Sequence, residues 1–396
     1  MTFKKMRLVW LITLLPILSS CDAVLQNLQK SHQQQTASSL NAGTAPKRAY
    51  TLAFPPNKDR ILPDGYANSG DMLVTTPNPW GIRYKDYIFN DFDIHTFYYK
   101  HDAPMWDNTK KDLIIDVITP RNDAEKKRPC IIFLFGGGFA GKFDDCTQEI
   151  GKGFAQKGYV VALPDYRIGY KNALLAGQCV GDFQTGMYPA YMRGVQDVRS
   201  AIRYLKANAD KFGIDKNKIF VSGHSAGALA TIGLAVQTTE NAPKNVLEQV
   251  GGSLDPMNDN MNYDATVAGV IALAGAVADP NVIVGKKINT PMHLIHGTCD
   301  ELIDMYAGNP FRCKERKTFP IVYGGAAIYE AAKLNNDNVS LSVICNGSHS
   351  MSSIGYNELI DIMNDFTYGI ISGNPIKGKK IIPAKKGICN KPELCK

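Results

Sequence analysis

One short run of residues could supply a nucleophile: residues 223–227 read Gly-His-Ser-Ala-Gly and fit the pattern G-x-S-x-G. An apolar segment typical of a strand, 218–222, comes before the run, and a segment typical of a helix, 226–236, follows its serine. In a strand–turn–helix context this turn projects the serine hydroxyl above the end of a sheet, and the flanking glycines let the backbone bend without a clashing Cβ atom. Ser225 is therefore the candidate nucleophile.

Ser225 could be activated by Asp300 and His349, which both lie further along the chain. A serine hydroxyl needs a base to take its proton, and the base needs a carboxylate to orient it; the expected chain order is Ser, then Asp or Glu, then His. Asp300 follows an apolar segment at 292–296, and His349 follows another at 340–345. Since the carboxyl ends of parallel strands meet at one edge of a sheet, we expect the three side chains to lie together.

Other residues compete for these roles. Asp304 is the main alternative acid, and Glu301 is a weaker one. His293 and His296 lie within the strand that precedes the acid, so we expect them to be structural. His224 is next to the nucleophile, but we expect its side chain to point away from the pocket and to pack or hydrogen bond at the turn.

A glycine run could stabilise the negative charge of an acyl-transfer intermediate. Residues 136–138 are Gly-Gly-Gly and follow the apolar segment 131–135. Three glycines allow backbone N–H groups to approach a developing oxyanion, and the residue after the nucleophile supplies another N–H. We expect Gly137, Gly138 and Ala226 to be the donors; a phosphate-binding loop is disfavoured because no Gly-Lys-Ser/Thr follows the run.

The elements that must position these residues alternate between strand and helix along the chain, which favours a mostly parallel sheet with helices on both faces. An amphipathic helix is predicted at 193–212 and ends at Gly213. Two stretches without periodicity, 168–190 and 240–264, are long enough to rim a pocket. The predicted strands are 113–118, 131–135, 159–163, 218–222, 267–274, 292–296 and 340–345.

Composition limits the partners. With 44% hydrophobic and 20% charged residues the chain is globular, and we expect a single catalytic domain at 61–376. The net charge of +7 reflects mainly residues 377–396, which carry seven lysines against one glutamate and are predicted to be a basic tail with a possible small disulfide loop. No basic face is interleaved with aromatic residues, so we predict no nucleic-acid partner.

The N-terminus reads as a processing signal. A basic start and a short apolar run at 8–18 are followed by Leu-Ser-Ser-Cys at 18–21, which resembles the bacterial lipobox. We predict a lipoprotein signal peptide at 1–20, lipidation of Cys21 and a flexible tether at 21–60. The protein would then be anchored by lipid to a membrane of the bacterial cell envelope, facing the periplasm or the exterior; the alternative is an ordinary secretory signal.

The cysteine count agrees with an oxidising compartment: of nine cysteines, eight remain after Cys21, which is an even number. No Cys/His cluster has zinc-like spacing, so no metal site is predicted. Cys130 starts an apolar strand, and we expect it to be a buried thiol. The sequence does not determine the connectivity, but the short-range pairings that we favour are Cys146–Cys179, Cys299–Cys313 and Cys389–Cys395.

Together these motifs resemble the bacterial carboxylesterase and hormone-sensitive-lipase-like branch of the α/β-hydrolases, with similarity to feruloyl/acetyl esterase-like members. The resemblance covers roughly residues 84–365 and includes the strand at 113–120 and the run Asp-Tyr-Arg at 165–167. Two positions depart from the family pattern. Phe135 stands where the family often has a histidine that braces the glycine loop, and Ala228 replaces a commoner third glycine after the serine.

The resemblance implies the α/β-hydrolase fold and hydrolysis of carboxylic esters through an acyl-enzyme, without a cofactor. Ser225 would attack the carbonyl carbon, His349 would take and return the proton, and Asp300 would hold the imidazole. The substrate would be a small-molecule or polymer-borne ester, and the oligomeric state stays open. The alternatives are a peptidase of the prolyl-oligopeptidase-related branch, disfavoured because no propeller repeat is present, and a catalytically silent hydrolase fold used for adhesion or binding.

Overall fold

A nine-stranded sheet forms the centre of the described part of the chain. The structure, a computed structural model, describes residues 80–395 apart from 143–144, 174–175, 177–178, 256–259, 314–318 and 386, and the side chains of 145, 146 and 392. The predicted signal peptide, the tether, Cys21 and the first residues of the predicted domain, 61–79, lie outside the described residues. The described residues belong to one structural unit, Ala49–Lys396.

The strands are β1 (Phe92–Pro104), β2 (Lys110–Pro120), β3 (Arg128–Leu134), β4 (Val160–Pro164), β5 (Ile214–His224), β6 (Gly269–Leu273), β7 (Ala276–Val277), β8 (Met292–Gly297), β9 (Ala307–Gly308), β10 (Val322–Gly324), β11 (Val339–Cys345) and β12 (Gly378–Pro383). The α-helices are α1 (Asp145–Gln156), α2 (Tyr188–Ala207), α3 (Ala209–Phe212), α4 (Ala226–Val236), α5 (Lys244–Leu247), α6 (Gly325–Leu334) and α7 (Tyr356–Ile371). One π-helical turn, Phe183–Met187, precedes α2.

The strand order in the large sheet is β1-β2-β4-β3-β5-β6-β8-β11-β12. The first two pairings, β1 with β2 and β2 with β4, are antiparallel, and all other neighbours in this sheet are parallel. The short strands β7, β10 and β9 form a separate three-stranded sheet. The order reverses between β3 and β5, and in open α/β sheets ligands bind at the carboxyl ends of the strands at such a switch point. The fold-class prediction, an α/β-hydrolase with a mostly parallel sheet, is confirmed.

Helices cover both faces of the sheet because neighbouring residues of the central strands point to opposite sides. Ile132 belongs to the apolar cluster on one face, which includes residues of α2, α4 and α6. Ile131 belongs to the cluster on the other face, which includes residues of α1 and α7. All residues of β3 are buried, as expected for a strand covered on both faces. None of the helices in the described ranges is long and apolar enough to span a bilayer.

The predicted helix 193–212 is present, but its bounds differ. The main helix, α2, begins at Tyr188 and ends at Ala207, and the last residues form the separate turn α3. Gly213 ends α3 in the left-handed conformation with φ of 65°, as its position predicted.

The predicted boundary between a catalytic domain and a basic tail at residue 377 is wrong. Residues Gly378–Pro383 form β12, which pairs in parallel with β11 as the last strand of the large sheet. Ile382 is buried by this pairing. Lys379 and Lys380 are exposed along the outer strand, where lysines discourage pairing with another chain.

All three favoured disulfide pairings are also wrong. The structure pairs Cys179 with Cys313, Cys299 with Cys389, and Cys345 with Cys395, with Cα atoms 5.4, 5.9 and 5.4 Å apart. The reason is tertiary: pairing β12 beside β11 carries the C-terminal segment along the loops that follow β8 and β11, so Cys389 and Cys395 meet Cys299 and Cys345. Cys179 and Cys313 are also distant in sequence, with a separation of 134 residues. The side chain of Cys146 lies outside the described residues, but its expected partner bonds elsewhere.

Cys130 is a buried free thiol, as expected. Burial in β3 raises the pKa of this thiol, which disfavours the reactive thiolate form.

Candidate active site

Ser225 lies in the sharp turn between β5 and α4, with φ of 54° and ψ of −119°. A residue with a side chain rarely adopts this conformation, which costs on the order of 1–3 kcal/mol and needs support from its surroundings. The Ser225 N–H donates to the Leu273 carbonyl at 2.9 Å, which ties the turn to β6.

The two glycines of the G-x-S-x-G pattern are required by close backbone approach. A Cβ atom on Gly227 would lie 2.4 Å from the carbonyl oxygen of Leu134 at the end of β3. A Cβ atom on Gly223 would lie 2.5 Å from the carbonyl carbon of Gly227. Backbone atoms cannot move aside as a flexible side chain can, so both positions need glycine.

The structure brings Ser225, His349 and Asp300 together, although their loops follow three different strands. His349 Nε2 lies 2.8 Å from Ser225 Oγ. His349 Nδ1 lies 2.8 Å from Oδ2 and 3.0 Å from Oδ1 of Asp300. The carboxylate side chain is fully buried, and the imidazole is almost so. Because a carboxylate accepts the Nδ1 proton, Nε2 is left to accept the serine proton.

The rival acids occupy other positions. The exposed Asp304 accepts the backbone N–H groups of Tyr306 at 2.7 Å and Ala307 at 3.1 Å, and so organises a turn. Glu301 accepts the backbone N–H of His349 at 3.3 Å and thus contacts the main chain of that residue. Of the three carboxylates, Asp300 is the one hydrogen bonded to the imidazole.

Asp300 is held as a carboxylate by several donors. Its Oδ1 accepts the backbone N–H groups of Leu302 at 2.9 Å and Ile303 at 2.7 Å. Burial acts to raise the pKa of Asp300, but the charge of His349 and hydrogen bonds from His296 and His349 outweigh it and lower the pKa below the usual range. The site therefore keeps a negative charge next to the imidazole.

His296 does more than the purely structural role expected of it. The Gly325 N–H points at its Nδ1 at 3.2 Å, so the ring proton must sit on Nε2. Nε2 then lies 3.0 Å from the Ile303 carbonyl and 3.2 Å from Oδ2 of Asp300, and it donates to both. His296 is a positioning residue that the sequence analysis missed; the signal was its place near the end of the strand that leads to the acid.

His224 contacts the main chain of the base, His349. Its Nε2 donates to the backbone carbonyl of His349 at 2.8 Å. Burial and then the charge of His349 lower the pKa of His224 to about 4, so the ring is neutral at physiological pH. This agrees with the expected hydrogen-bonding role at the turn.

The glycine loop after β3 lies beside the serine. Gly138 and Ala226 line the same cavity as Ser225, whereas Gly137 does not line it. Gly138 has φ of 60°, which glycine adopts without strain.

An aromatic pair supports this loop at the position where a histidine would be more usual. The ring of Phe135 stacks on Tyr166 with centroids 4.2 Å apart, and the Tyr166 hydroxyl donates to the Phe135 carbonyl at 2.8 Å. The start of the loop is thus held by stacking and one buried hydrogen bond.

The cavity beside Ser225 has a volume of about 780 Å³, counted with the solvent space at its mouth. Its lining is mostly aromatic and aliphatic and includes Phe139, Tyr191, Leu229 and Phe311. Part of the lining comes from the predicted rim stretch 168–190, whereas no described residue of 240–264 contributes. No cluster of His, Cys, Asp and Glu in the described part of the chain could hold a metal ion.

Part of the chain is similar to known proteins. The family described as BD-FAE matches residues 115–278, less than half of the chain. Fumonisin B1 esterase of Sphingopyxis macrogoltabida is 30% identical over 147 residues, which are 37% of this chain and 27% of that protein. Neuroligin-like protein glit-1 of Caenorhabditis elegans is 33% identical over 128 residues, which are 32% of this chain and 16% of that protein.

Among solved structures, esterase 2 of Thermogutta terrifontis phosphorylated by paraoxon aligns with a TM-score of 0.49 and 20% identity, over 72% of this chain and 96% of that one. The chain spans about a quarter or less of the length of the two curated relatives named above. By its own strand order and its serine turn the protein has the α/β-hydrolase fold. In the matched segment it is carboxylesterase-like.

Proposed function

We propose that this protein is a serine hydrolase that cleaves carboxylic esters through an acyl-enzyme intermediate. The observation that carries the proposal is the hydrogen-bonded series from Ser225 through His349 to Asp300 beside a mostly apolar cavity. The match to BD-FAE and the similarity to a protein named an esterase support it.

In the first half of the reaction Ser225 Oγ attacks the ester carbonyl carbon while His349 Nε2 takes the hydroxyl proton. The carbonyl oxygen becomes an oxyanion, and the backbone N–H groups of the glycine loop, Gly137 and Gly138, and of Ala226 are the proposed donors to it. The imidazolium then returns the proton to the leaving alkoxide, the ester C–O bond breaks and an alcohol departs. The acyl group stays on Ser225.

In the second half water repeats the sequence. His349 takes a proton from water, the resulting hydroxide attacks the acyl carbon, and the proton goes back to Ser225 Oγ as the carboxylic acid leaves. Asp300 stays ionised throughout and stabilises the imidazolium formed in each half.

The test is Ser225→Ala, assayed on a p-nitrophenyl short-acyl ester. We expect kcat to fall by about 10⁴- to 10⁶-fold with the fold unchanged by circular dichroism. A fluorophosphonate should label the wild type and the control Ser372→Ala, a serine exposed at the end of α7, but not Ser225→Ala. Full activity of Ser225→Ala would show that another residue is the nucleophile.

A second candidate function is a catalytically silent hydrolase fold that binds a partner, which the similarity to a neuroligin-like protein favours. The same assay separates the two, because a silent fold leaves both the ester and the fluorophosphonate unreacted. The peptidase alternative predicts cleavage of a short peptide amide at a rate comparable with that of an ester.

We also infer that Cys21 is lipidated and that the protein is tethered to a membrane of the bacterial cell envelope. The support is the run Leu-Ser-Ser-Cys at 18–21 after a basic start and a short apolar segment.

A further inference from the structure

We propose that the cavity beside Ser225 selects esters by charge: the part of the substrate that enters it is largely apolar and uncharged, and Asp279 disfavours groups that carry a carboxylate. The proposal deepens the proposed ester hydrolysis and rests on it.

The first observation is the charge of the lining. Among the described residues that line the cavity, Asp279 is the one acidic side chain, and no lysine or arginine is present. The other titratable groups are Tyr188 and Tyr191. Burial, and for Tyr188 then the charge of Asp279, raises the pKa of Tyr188 to about 12, and burial raises the pKa of Tyr191 further, so both phenols are neutral. The described part of the lining therefore carries one negative charge and no compensating positive one.

The second observation is that the Asp279 carboxylate is held in place. It follows β7 and caps the turn Pro280–Val282, where it accepts the Asn281 N–H at 2.9 Å. The residue is half-buried. Ala278, the preceding residue, and Val282, three residues further along, also line the cavity, so Asp279 belongs to its wall.

The physical consequence follows from desolvation. An apolar cavity of this size suits an uncharged group, because burial of apolar surface is favourable and costs no hydration of charge. A carboxylate on the substrate would lose hydration on entry and meet a like charge, and no described lining residue is a cation that could offset either cost. Because Asp279 is partly solvated, screening reduces the effect, and we expect discrimination of about tenfold from this residue.

The experiment compares kcat/KM for two matched pairs of esters. One pair places the charge on the acyl group, 4-nitrophenyl hexanoate against the mono-4-nitrophenyl ester of adipic acid. The other places it on the alcohol, 4-carbamoylphenyl butyrate against 4-carboxyphenyl butyrate. We expect the wild type to disfavour the anionic member of at least one pair. In Asp279→Asn, which keeps an oxygen to cap the turn, that ratio should shrink about tenfold.

The matched control is Asp304→Asn, which removes an exposed carboxylate that also accepts backbone N–H groups but does not line the cavity. Its ratios should equal those of the wild type. Charge selection by Asp279 is disproved, while ester hydrolysis stands, if Asp279→Asn leaves both ratios unchanged. The same holds if the wild type has equal kcat/KM for the neutral and the anionic ester within each pair. If the wild type hydrolyses neither neutral ester, the proposed function itself has failed.

Discussion

The imidazole of His349 is held from both ends by single, well-defined partners. Nδ1 contacts Asp300, Nε2 contacts Ser225, and the backbone carbonyl accepts the proton of His224. Asp300 in turn is held by two backbone N–H groups and by His296. The orientation of the base therefore depends on a shell of histidines and main-chain groups behind the three reacting residues.

Replacement of the base and the acid should separate Asp300 from its rivals. We expect His349→Ala to lower kcat about as much as Ser225→Ala, and Asp300→Asn to lower it somewhat less, since the imidazole is still present but poorly oriented. The double variant Ser225→Ala/His349→Ala should be little worse than Ser225→Ala, because residues that act as a unit are not additive. Asp304→Asn is the control; if it were the more damaging of the two acid variants, the assignment of Asp300 would be wrong.

His224 should make the fold sensitive to acid. Its folded-state pKa of about 4 lies below the ordinary value of 6.5, so the unfolded chain binds a proton more readily than the folded one. The stability that comes from the neutral ring is present above pH 6.5 and is lost as pH falls toward 4. The free energy of unfolding lost in this way at pH 4.5 is about 2 kcal/mol.

The measurement is the free energy of unfolding from urea titrations at pH 7 and pH 4.5. In His224→Gln the difference between the two pH values should be smaller than in the wild type by about that amount. His101→Asn is the control, since the side chain of His101 is 68% exposed. An equal pH dependence in His224→Gln and wild type would contradict the prediction.

At the level of elements, disulfides join the C-terminal segment to the chain next to Asp300 and to the strand before the His349 loop. Cys389 bonds to Cys299, the residue before Asp300, and Cys395 bonds to Cys345, at the end of the strand before the His349 loop. The third disulfide joins Cys313, next to the lining segment around Phe311, to Cys179 in the rim stretch. Each bridge thus restrains a segment that forms the site.

Removal of one bridge should cost both stability and activity. The Cys345–Cys395 bridge closes a loop with a sequence separation of 50 residues. In the chain-entropy model a loop of that size contributes about 4 kcal/mol. We expect Cys345→Ser/Cys395→Ser to lower the free energy of unfolding by up to about this value and to lower kcat by loosening the His349 loop.

Urea titration and non-reducing peptide mapping test this prediction. Cys130→Ala is the control because Cys130 forms no disulfide in the structure; its peptide map should keep all three bridges. Recovery of Cys345 and Cys395 as free thiols from the wild-type protein would contradict the disulfide between them.

At the scale of the whole protein, Cys21 should decide where the protein is found. Acyl chains on a lipidated cysteine add about 0.8 kcal/mol for each buried CH₂, and several chains anchor stably where one does not. In the native host we expect wild type in the membrane fraction and Cys21→Ala in the soluble fraction of the envelope. Intact-mass analysis should find lipid on the wild type. If Cys21→Ala stayed in the membrane as firmly as wild type, or if no lipid were found, the lipoprotein proposal would fail.

Much of the fold follows from local pattern. The strands β3, β4, β5, β8 and β11 were predicted from runs that are mostly apolar, because strand segments covered on both faces are mostly apolar. The strand β1 was not predicted, since its apolar residues are interrupted by His95, Lys100 and His101 at the partly exposed edge of the sheet. β12 was missed for a related reason: its lysines read as a tail, and they face solvent on an outer strand.

The identities of Ser225, Asp300 and His349 could be read from the sequence because each follows a recognisable strand and because chain order restricts the choice. The contacts of His296 with Asp300 and of His224 with the His349 main chain could not, since they depend on ring orientation and on which backbone N–H faces the ring. The disulfide connectivity and the charge of the cavity wall were equally out of reach. Both depend on which distant segments the folded sheet brings side by side, and sequence separation carries no information about that proximity.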